Sequence, residues 1–258
     1  MERITYTDHR YRTPANASTF WGRLFPSVSF YTSFLATVYF SSRKAQQGNY
    51  DDDAWCQSSY NILQALERTG LQVSISGIEH LQGLDSPCVI VGNHVSMMDT
   101  VIVPGIVAQE RPMTFIIKES LMEYPVFKHV MRSRNPIALG RKNAREDLKK
   151  VMSEGQKRLQ EGISVSVFPQ TTRGTDFDPR QFNSIGVKLA LRAGVPVLPL
   201  ALKTDAWTNG NIIKDLGKIH PEVSTHFCFG APLTVEGKGK EAHQQVIDFI
   251  SRKLKEWQ

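Results

Sequence analysis

A histidine and an aspartate five positions apart offer the clearest chemistry in this chain. In Cys88-Val89-Ile90-Val91-Gly92-Asn93-His94-Val95-Ser96-Met97-Met98-Asp99, an apolar β-branched run ends at Gly-Asn and delivers His94, and Asp99 follows. An imidazole with an unperturbed pKa of about 6.5 takes or gives a proton near neutrality. A carboxylate within reach fixes its tautomer and offsets the charge of the imidazolium. Spacing alone does not select this pair. The seven histidines and twelve aspartates give three such matches: His80/Asp85, His94/Asp99 and His243/Asp248. Residues five apart on one continuous helix point about 140° away from each other, which removes His243/Asp248 in the last helical stretch. His80/Asp85 falls in a turn-rich connector. Only His94 leaves a buried strand, with Asp99 one turn into the next helix, so the backbone can bend the two together. Open α/β sheets place their sites at such strand ends. On its own, a strand-end histidine is more often a satisfied structural residue, so other groups must converge on it.

Several do. Phe168-Pro169-Gln170-Thr171-Thr172-Arg173-Gly174 follows the strand Ile163–Val167 as a polar turn carrying an amide, hydroxyls and a guanidinium. Arg173 offers a planar fork suited to bidentate phosphate contact. Lys118 ends the strand Met113–Ile117, and Arg141 follows Pro136–Gly140. Three strands ending in Lys or Arg form a basic rim beside a candidate base. The net charge of +6 is concentrated there, because residues 111–160 hold twelve Lys/Arg against five Asp/Glu. A local basic field attracts an anionic partner such as a phosphate, a lipid headgroup or an acidic carrier protein. No nucleic-acid motif accompanies it, so no nucleic-acid partner is expected. The Lys149-Lys150 and Lys157-Arg158 pairs read as a solvated helix face.

The elements that must position these groups alternate. Apolar runs at 71–76, 88–92, 113–117, 136–139, 163–168, 196–202 and 224–229 read as strands, with helices near 96–108, 121–132, 143–160, 183–193 and 239–257. Ser96 reads as the cap of the first of these helices. The pattern predicts an α/β fold over 71–258, a single mostly parallel sheet flanked by helices. Residues 1–70 differ. The uncharged stretch 24–40 has seventeen residues, about the lower limit for a membrane span. Ser29, Ser33, Thr37 and Ser41 form a small-polar stripe that predicts close approach by another helix, Ala54–Arg68. Phe20, Trp21 and Phe25 suit a membrane–water interface. Residues 15–70 therefore read as a helical hairpin that docks on a bilayer. Cys56, Cys88 and Cys228 are odd in number and far apart, which predicts a reducing compartment and neither a disulfide framework nor a zinc site. The N-terminus is too polar for a secretory signal.

Taken together, these residues resemble the lysophospholipid acyltransferases, typified by 1-acyl-sn-glycerol-3-phosphate acyltransferase. Asn93-His94-Val95-Ser96-Met97-Met98-Asp99 is similar to the family's Asn-His-x-Ser-x-x-Asp catalytic block. Gly140-Arg141 resembles its second block, Phe168–Gly174 its Phe-Pro-Glu-Gly-Thr-Arg-Ser block, and Val195-Pro196-Val197-Leu198-Pro199 its Val-Pro-Ile-x-Pro block. Ile117-Lys118-Glu119-Ser120-Leu121 resembles a Lys-Lys-Glu-Leu stretch. The likeness implies acyl transfer from an acyl thioester, on coenzyme A or an acyl carrier protein, to the free hydroxyl of a lysophospholipid, with no metal or other cofactor. Lysophosphatidic acid would give phosphatidic acid. His94 would be the general base and Asp99 its orienting partner. Lys118, Arg141, Gln170, Thr171, Thr172, Arg173 and Gly174 would bind substrate. The likeness also implies peripheral or monotopic attachment to membrane phospholipid on the cytoplasmic face of the inner membrane.

The chain departs from the pattern at Gln170 and Thr171, where the family has Glu and Gly, so a different lysolipid acceptor stands as an alternative. A non-catalytic lipid-binding module of the same fold is a second. A metallophosphoesterase is a third, since Gly92-Asn93-His94 resembles the Gly-Asn-His block of that class, but its Gly-Asp metal block has no counterpart here.

Overall fold

The computed structural model describes residues 2–125, 127–170, 172–210 and 213–258. Among them lie the strands β1 (Tyr11–Arg12), β2 (Val73–Ser76), β3 (Val89–Gly92), β4 (Met113–Lys118), β5 (Ile137–Leu139), β6 (Ser164–Val167), β7 (Val197–Lys203) and β8 (Thr225–Phe229). They form one sheet in the order β1-β2-β8-β7-β3-β6-β4-β5. From β7 to β5 every neighbouring pair is parallel, as is β2 with β8; β8 runs antiparallel to β7, and β1 to β2. The carboxyl ends of β7, β3, β6, β4 and β5 therefore open on one edge. This is the mostly parallel α/β sheet that the alternating pattern predicts.

The central strand shows why the sheet is covered on both faces. All four residues of β3 are buried. Side chains alternate across a strand, so Ile90 enters one hydrophobic core while Val89 and Val91 enter the other. The first core is shared with helices α2 (Pro26–Gln46), α3 (Asp52–Arg68), α5 (Met97–Val107) and α6 (Phe127–Ser133). The second packs under α7 (Ala144–Gln160), α8 (Ile185–Ala193) and α9 (Lys240–Glu256). A short α4 (Ile78–Gln82) follows β2.

The N-terminal residues are part of the first core. A single turn, α1 (Phe20–Leu24), is capped by Thr19, and α2 follows with Pro26 in its first turn, where a missing N–H costs nothing. Asp51 caps α3, accepting from the Ala54 amide at 2.8 Å. α2 packs closely against α3, the partner helix expected. Phe30, Phe34, Val38, Ser41 and Ser42 are the buried residues of α2, and Thr37, Val38 and Ser41 also line a cavity. Phe30 and Phe34, at i and i+4, carry the large apolar area that α2 contributes to this core. No described helix is long and apolar enough to cross a membrane. At the opposite edge, β1 extends the sheet, and Glu67 on α3 accepts from Tyr11 Oη at 2.6 Å and Thr13 Oγ1 at 2.8 Å. Burial pushes the Glu67 carboxyl above its usual range against the pull of both hydrogen bonds.

The helix expected over 121–132 is broken in two. A 3₁₀ turn covers Glu119–Met122 and α6 begins at Phe127. Pro125 lies between them; it lacks an N–H and pushes the preceding residue out of the helical region.

Candidate active site

His94 is placed by three locks on the end of β3. Gly92 lets β3 press against β7, since a Cβ there would stand 2.9 Å from the Leu200 carbonyl oxygen. Asn93 then continues the strand pairing with its side chain, donating to the Leu202 carbonyl at 2.7 Å and accepting from the Leu202 amide at 2.8 Å. The His94 amide donates to Gln170 Oε1 at 2.7 Å, and the Gly174 amide donates to the His94 carbonyl at 3.0 Å. The β6 loop thus clasps the histidine backbone from both sides. Its ring stacks on Phe168, with centroids 4.6 Å apart and planes 9° from parallel.

Asp99 is fully buried behind the ring. Its Oδ2 accepts from His94 Nδ1 at 2.9 Å, the Val95 amide at 2.6 Å and the Ser96 amide at 3.1 Å. Its Oδ1 accepts from Thr204 Oγ1 at 2.5 Å. Asp99 and Ser96 together form the capping box of α5, with Ser96 Oγ accepting from the Met98 amide at 3.1 Å. The helix start and the carboxylate–imidazole contact are therefore one structure. An ionised carboxylate only accepts, so Nδ1 carries the proton and Nε2 is left with a lone pair. That arrangement can act as a general base.

A cavity of about 500 Å³ opens against His94. Lys118, Arg141, Gln170, Thr172 and Arg173 all line it, as the strand ends of β4, β5 and β6 predict. Arg141 stands in the left-handed region at φ 56°, an unusual conformation for a non-glycine residue. Gly174 takes part through its backbone bond to His94 and is not on the wall. Thr171 lies outside the described residues. The rest of the wall, drawn mainly from α2, α3, β4, α5 and α6, is mostly apolar and includes Val38, Ile62, Val101, Phe115 and Val130. Basic groups and an apolar chamber thus share one space with the imidazole, which suits an amphiphile carrying a negative charge.

Sequence reasoning missed Thr204, Phe168 as a ring partner, and four residues of the β7–β8 connection, Asn209, Gly210, Lys214 and Asp215, that reach the cavity. Thr204 follows β7, the strand beside β3, and a strand-order assignment would have pointed to it. For Asp215, which pairs with Arg173 at 2.5 Å, no local signal exists.

Three comparisons bear on this site. The family model described as Acyltransferase matches residues 72–203, just over half of the chain. The 1-acyl-sn-glycerol-3-phosphate acyltransferase of Pseudomonas aeruginosa is 28% identical over 189 residues, which is 73% of this chain and 68% of that protein. The enzyme of the same name from Borreliella burgdorferi is 29% identical over 147 residues, 57% of this chain and 56% of its own length. The crystal structure of the 1-acyl-sn-glycerophosphate acyltransferase PlsC from Thermotoga maritima superposes with a TM-score of 0.62 at 20% identity, covering 91% of this chain and 95% of that one. That likeness establishes the shared fold. The matched segment runs from β2 to the end of β7 and so contains His94, Asp99, Lys118, Arg141 and Arg173; the chain belongs to the acyltransferase family.

Proposed function

We propose that the chain transfers a fatty acyl group from an acyl thioester to the free hydroxyl of 1-acyl-sn-glycerol-3-phosphate, giving phosphatidic acid. The observation that carries this reading is the His94–Asp99 pair opening on a cavity that is basic on one part of its wall and apolar on the rest. In the reaction, His94 Nε2 takes the hydroxyl proton as the oxygen attacks the thioester carbonyl. The tetrahedral adduct collapses, the C–S bond breaks, and the imidazolium returns its proton to the departing thiolate. Asp99 holds the ring and offsets its transient charge. The scheme needs no metal and no organic cofactor, and the donor is coenzyme A or an acyl carrier protein thioester. Arg173, Lys118 and Arg141 bind the acceptor phosphate, with Thr172 beside them, while the apolar wall receives hydrocarbon. Gln170 keeps the loop in place: its oxygen is taken up by the His94 amide, a role that a glutamate oxygen could fill equally. The names of the relatives support lysophosphatidic acid as acceptor.

The same reading makes residues 1–70 the membrane-docking segment. Phe20, Trp21, Phe25, Val28, Leu35 and Phe40 are each more than half exposed on α1, α2 and the residue that joins them. Arg23, Arg43 and Lys44 flank them on the surface. Apolar side chains with basic neighbours fit an anionic bilayer, and the face proposed is the cytoplasmic side of the inner membrane, where thioester donors are found.

Purified protein given labelled acyl donor and a lysophospholipid panel tests the assignment. His94→Ala is expected to lose at least about 10²-fold in kcat, the usual contribution of a general base. Wild type that acylates nothing, or a His94→Ala variant as active as wild type, rejects the proposal. Phosphatase activity abolished by a chelator would point to a metallophosphoesterase instead.

A further inference from the structure

Arg173 is already paired. Its Nη1 lies 2.5 Å from Asp215 Oδ1, with the two side chains 20% and 19% exposed, and its Nη2 lies 3.4 Å from Met97 Sδ. Asp215 is the one carboxylate among the described residues lining the cavity, whose charged groups are otherwise Lys118, Arg141, Lys214, Arg173 and whatever proton His94 carries. The segment that carries it is held at several points. The Thr208 amide donates to the Lys218 carbonyl at 3.1 Å and the Gly210 amide to the Lys214 carbonyl at 3.1 Å. From α2, Tyr31 Oη donates to the Gly217 carbonyl at 2.5 Å, and Ser27 Oγ accepts from the Ile219 amide at 3.1 Å. A carboxylate is thus held on the guanidinium assigned to the acceptor phosphate.

We propose that Asp215 is a specificity-determining residue that occupies Arg173 in the headgroup's place, so that a phosphomonoester is admitted and a phosphodiester is refused. The inference rests on the acyltransferase reading above and adds a basis for choosing among lysolipids. A phosphodiester carries one negative charge, the same as the carboxylate it must displace. It gains no charge on Arg173 to offset the repulsion of the freed Asp215 carboxylate, which any anion in that place meets. A phosphomonoester carries about −1.5 to −2 at neutral pH and three strong acceptor oxygens. It can take Arg173 bidentately while its remaining charge faces Lys118 and Arg141, so it outcompetes a carboxylate for the fork. Neutral or singly charged headgroups meet an occupied arginine.

The test compares two acceptors that differ by one methyl group, lysophosphatidic acid and its phosphate methyl ester, in the same detergent micelles with the same donor. Wild type should prefer the monoester in kcat/KM by at least about tenfold. In Asp215→Asn, which keeps the shape and an acceptor oxygen but no charge, that preference should fall at least about tenfold, through a rise on the methyl ester. Asp215→Glu should restore it. Wild type that uses both esters equally overturns the proposal without any variant. So does an Asp215→Asn enzyme that loses rate equally on both, the mark of a merely structural residue, or one whose preference is unchanged. Wild type that acylates neither ester would instead overturn the underlying acyltransferase assignment.

Discussion

Replacing Asp99 by asparagine isolates the charge behind His94 from the geometry that holds it. Three N–H groups converge on Asp99 Oδ2: His94 Nδ1 at 2.9 Å, Val95 N at 2.6 Å and Ser96 N at 3.1 Å. An asparagine amide cannot face three donors with its NH₂, so its carbonyl oxygen must take the Oδ2 position. The His94 proton then stays on Nδ1 and Nε2 stays free. The NH₂ falls on the Oδ1 side, where Thr204 Oγ1 turns from donor to acceptor, a change open to a hydroxyl. What is lost is the negative charge opposite the imidazolium. A hydrogen bond to a charged group is worth about 1.5–3 kcal/mol and a neutral one about 0.5–1.5 kcal/mol. The Coulomb ceiling, about 4 kcal/mol at ~4 Å and an effective dielectric of about 20, lies above that difference, and the 16% exposure of the His94 side chain screens part of it. A net loss of about 2 kcal/mol corresponds to a fall of about 30-fold in kcat. Both KM values should hold, because Asp99 is not on the cavity wall. Steady-state acyl transfer with each substrate varied in turn measures this. Wild-type kcat would refute the role given to the charge. A fall of about 10⁴-fold, the scale expected of a wrong tautomer, would refute the argument that the backbone donors dictate the amide's orientation. Asp99→Ala is a poor substitute, since it orphans two buried amides at about 1–3 kcal/mol each and should lower Tm.

Two further outcomes follow from features away from the reacting atoms. Trp21 and Phe25, exposed and stacked 6.3 Å apart on α1 and its cap, should each contribute about 1.5–3 kcal/mol when buried in lipid; Trp21→Glu/Phe25→Glu should cut partitioning onto anionic vesicles at least about 100-fold with no change in Tm, and unchanged sedimentation would remove the docking face. Glu67, raised by burial, binds more protons folded than unfolded between the ordinary carboxylate range and its raised value, so stability falls as pH rises through that window. Glu67→Gln should therefore raise Tm at pH 7 and lose that advantage as pH drops below the ordinary range, in thermal melts across pH; an advantage independent of pH would contradict the assignment.

What could be read from the residues was mostly what is local. His94 and Asp99 are linked through a strand end and a capping box that span only seven residues, so residue type and spacing, read with the strand-to-helix context, picked out the pair. The basic rim was legible because the alternating pattern implied parallel strands, and parallel strands place Lys118, Arg141 and Arg173 on one edge whatever their order. The break at Pro125 was written in the sequence and was overridden there by the apolar periodicity on either side. Helix α2 shows a different limit. Periodicity tells which residues share a face, and both Ser29-Ser33-Thr37 and Phe30-Phe34-Val38 have the same period. Only the shape of what packs against the helix decides between them. Thr204 and Asp215 lie beyond any local signal, since each meets its partner across a large loop of chain: 105 residues from Asp99 for the first and 42 from Arg173 for the second.

The N-terminal helices join these themes, because α2 has three separate duties on three faces. One face, with Leu35, Tyr39 and Phe40, is exposed. A second, with Phe30 and Phe34, is buried around Trp207 at ring-centroid distances of 4.7 and 5.2 Å. A third presents Thr37 and Ser41 to the cavity, where small side chains leave space that larger ones would fill. The same helix braces the segment carrying Asp215 through Tyr31 and Ser27. Removing residues 1–70 would therefore do more than remove the proposed docking segment. It would strip Phe30, Phe34, Ile62, Leu63 and Leu66 from the core that also holds Ile90 of the central strand, at about 2–5 kcal/mol for each large side chain lost. It would also release the loop opposite Arg173. A truncated protein that loses activity would say nothing about membranes, which is why the docking face has to be probed by surface charges and the chemistry by Asp99→Asn.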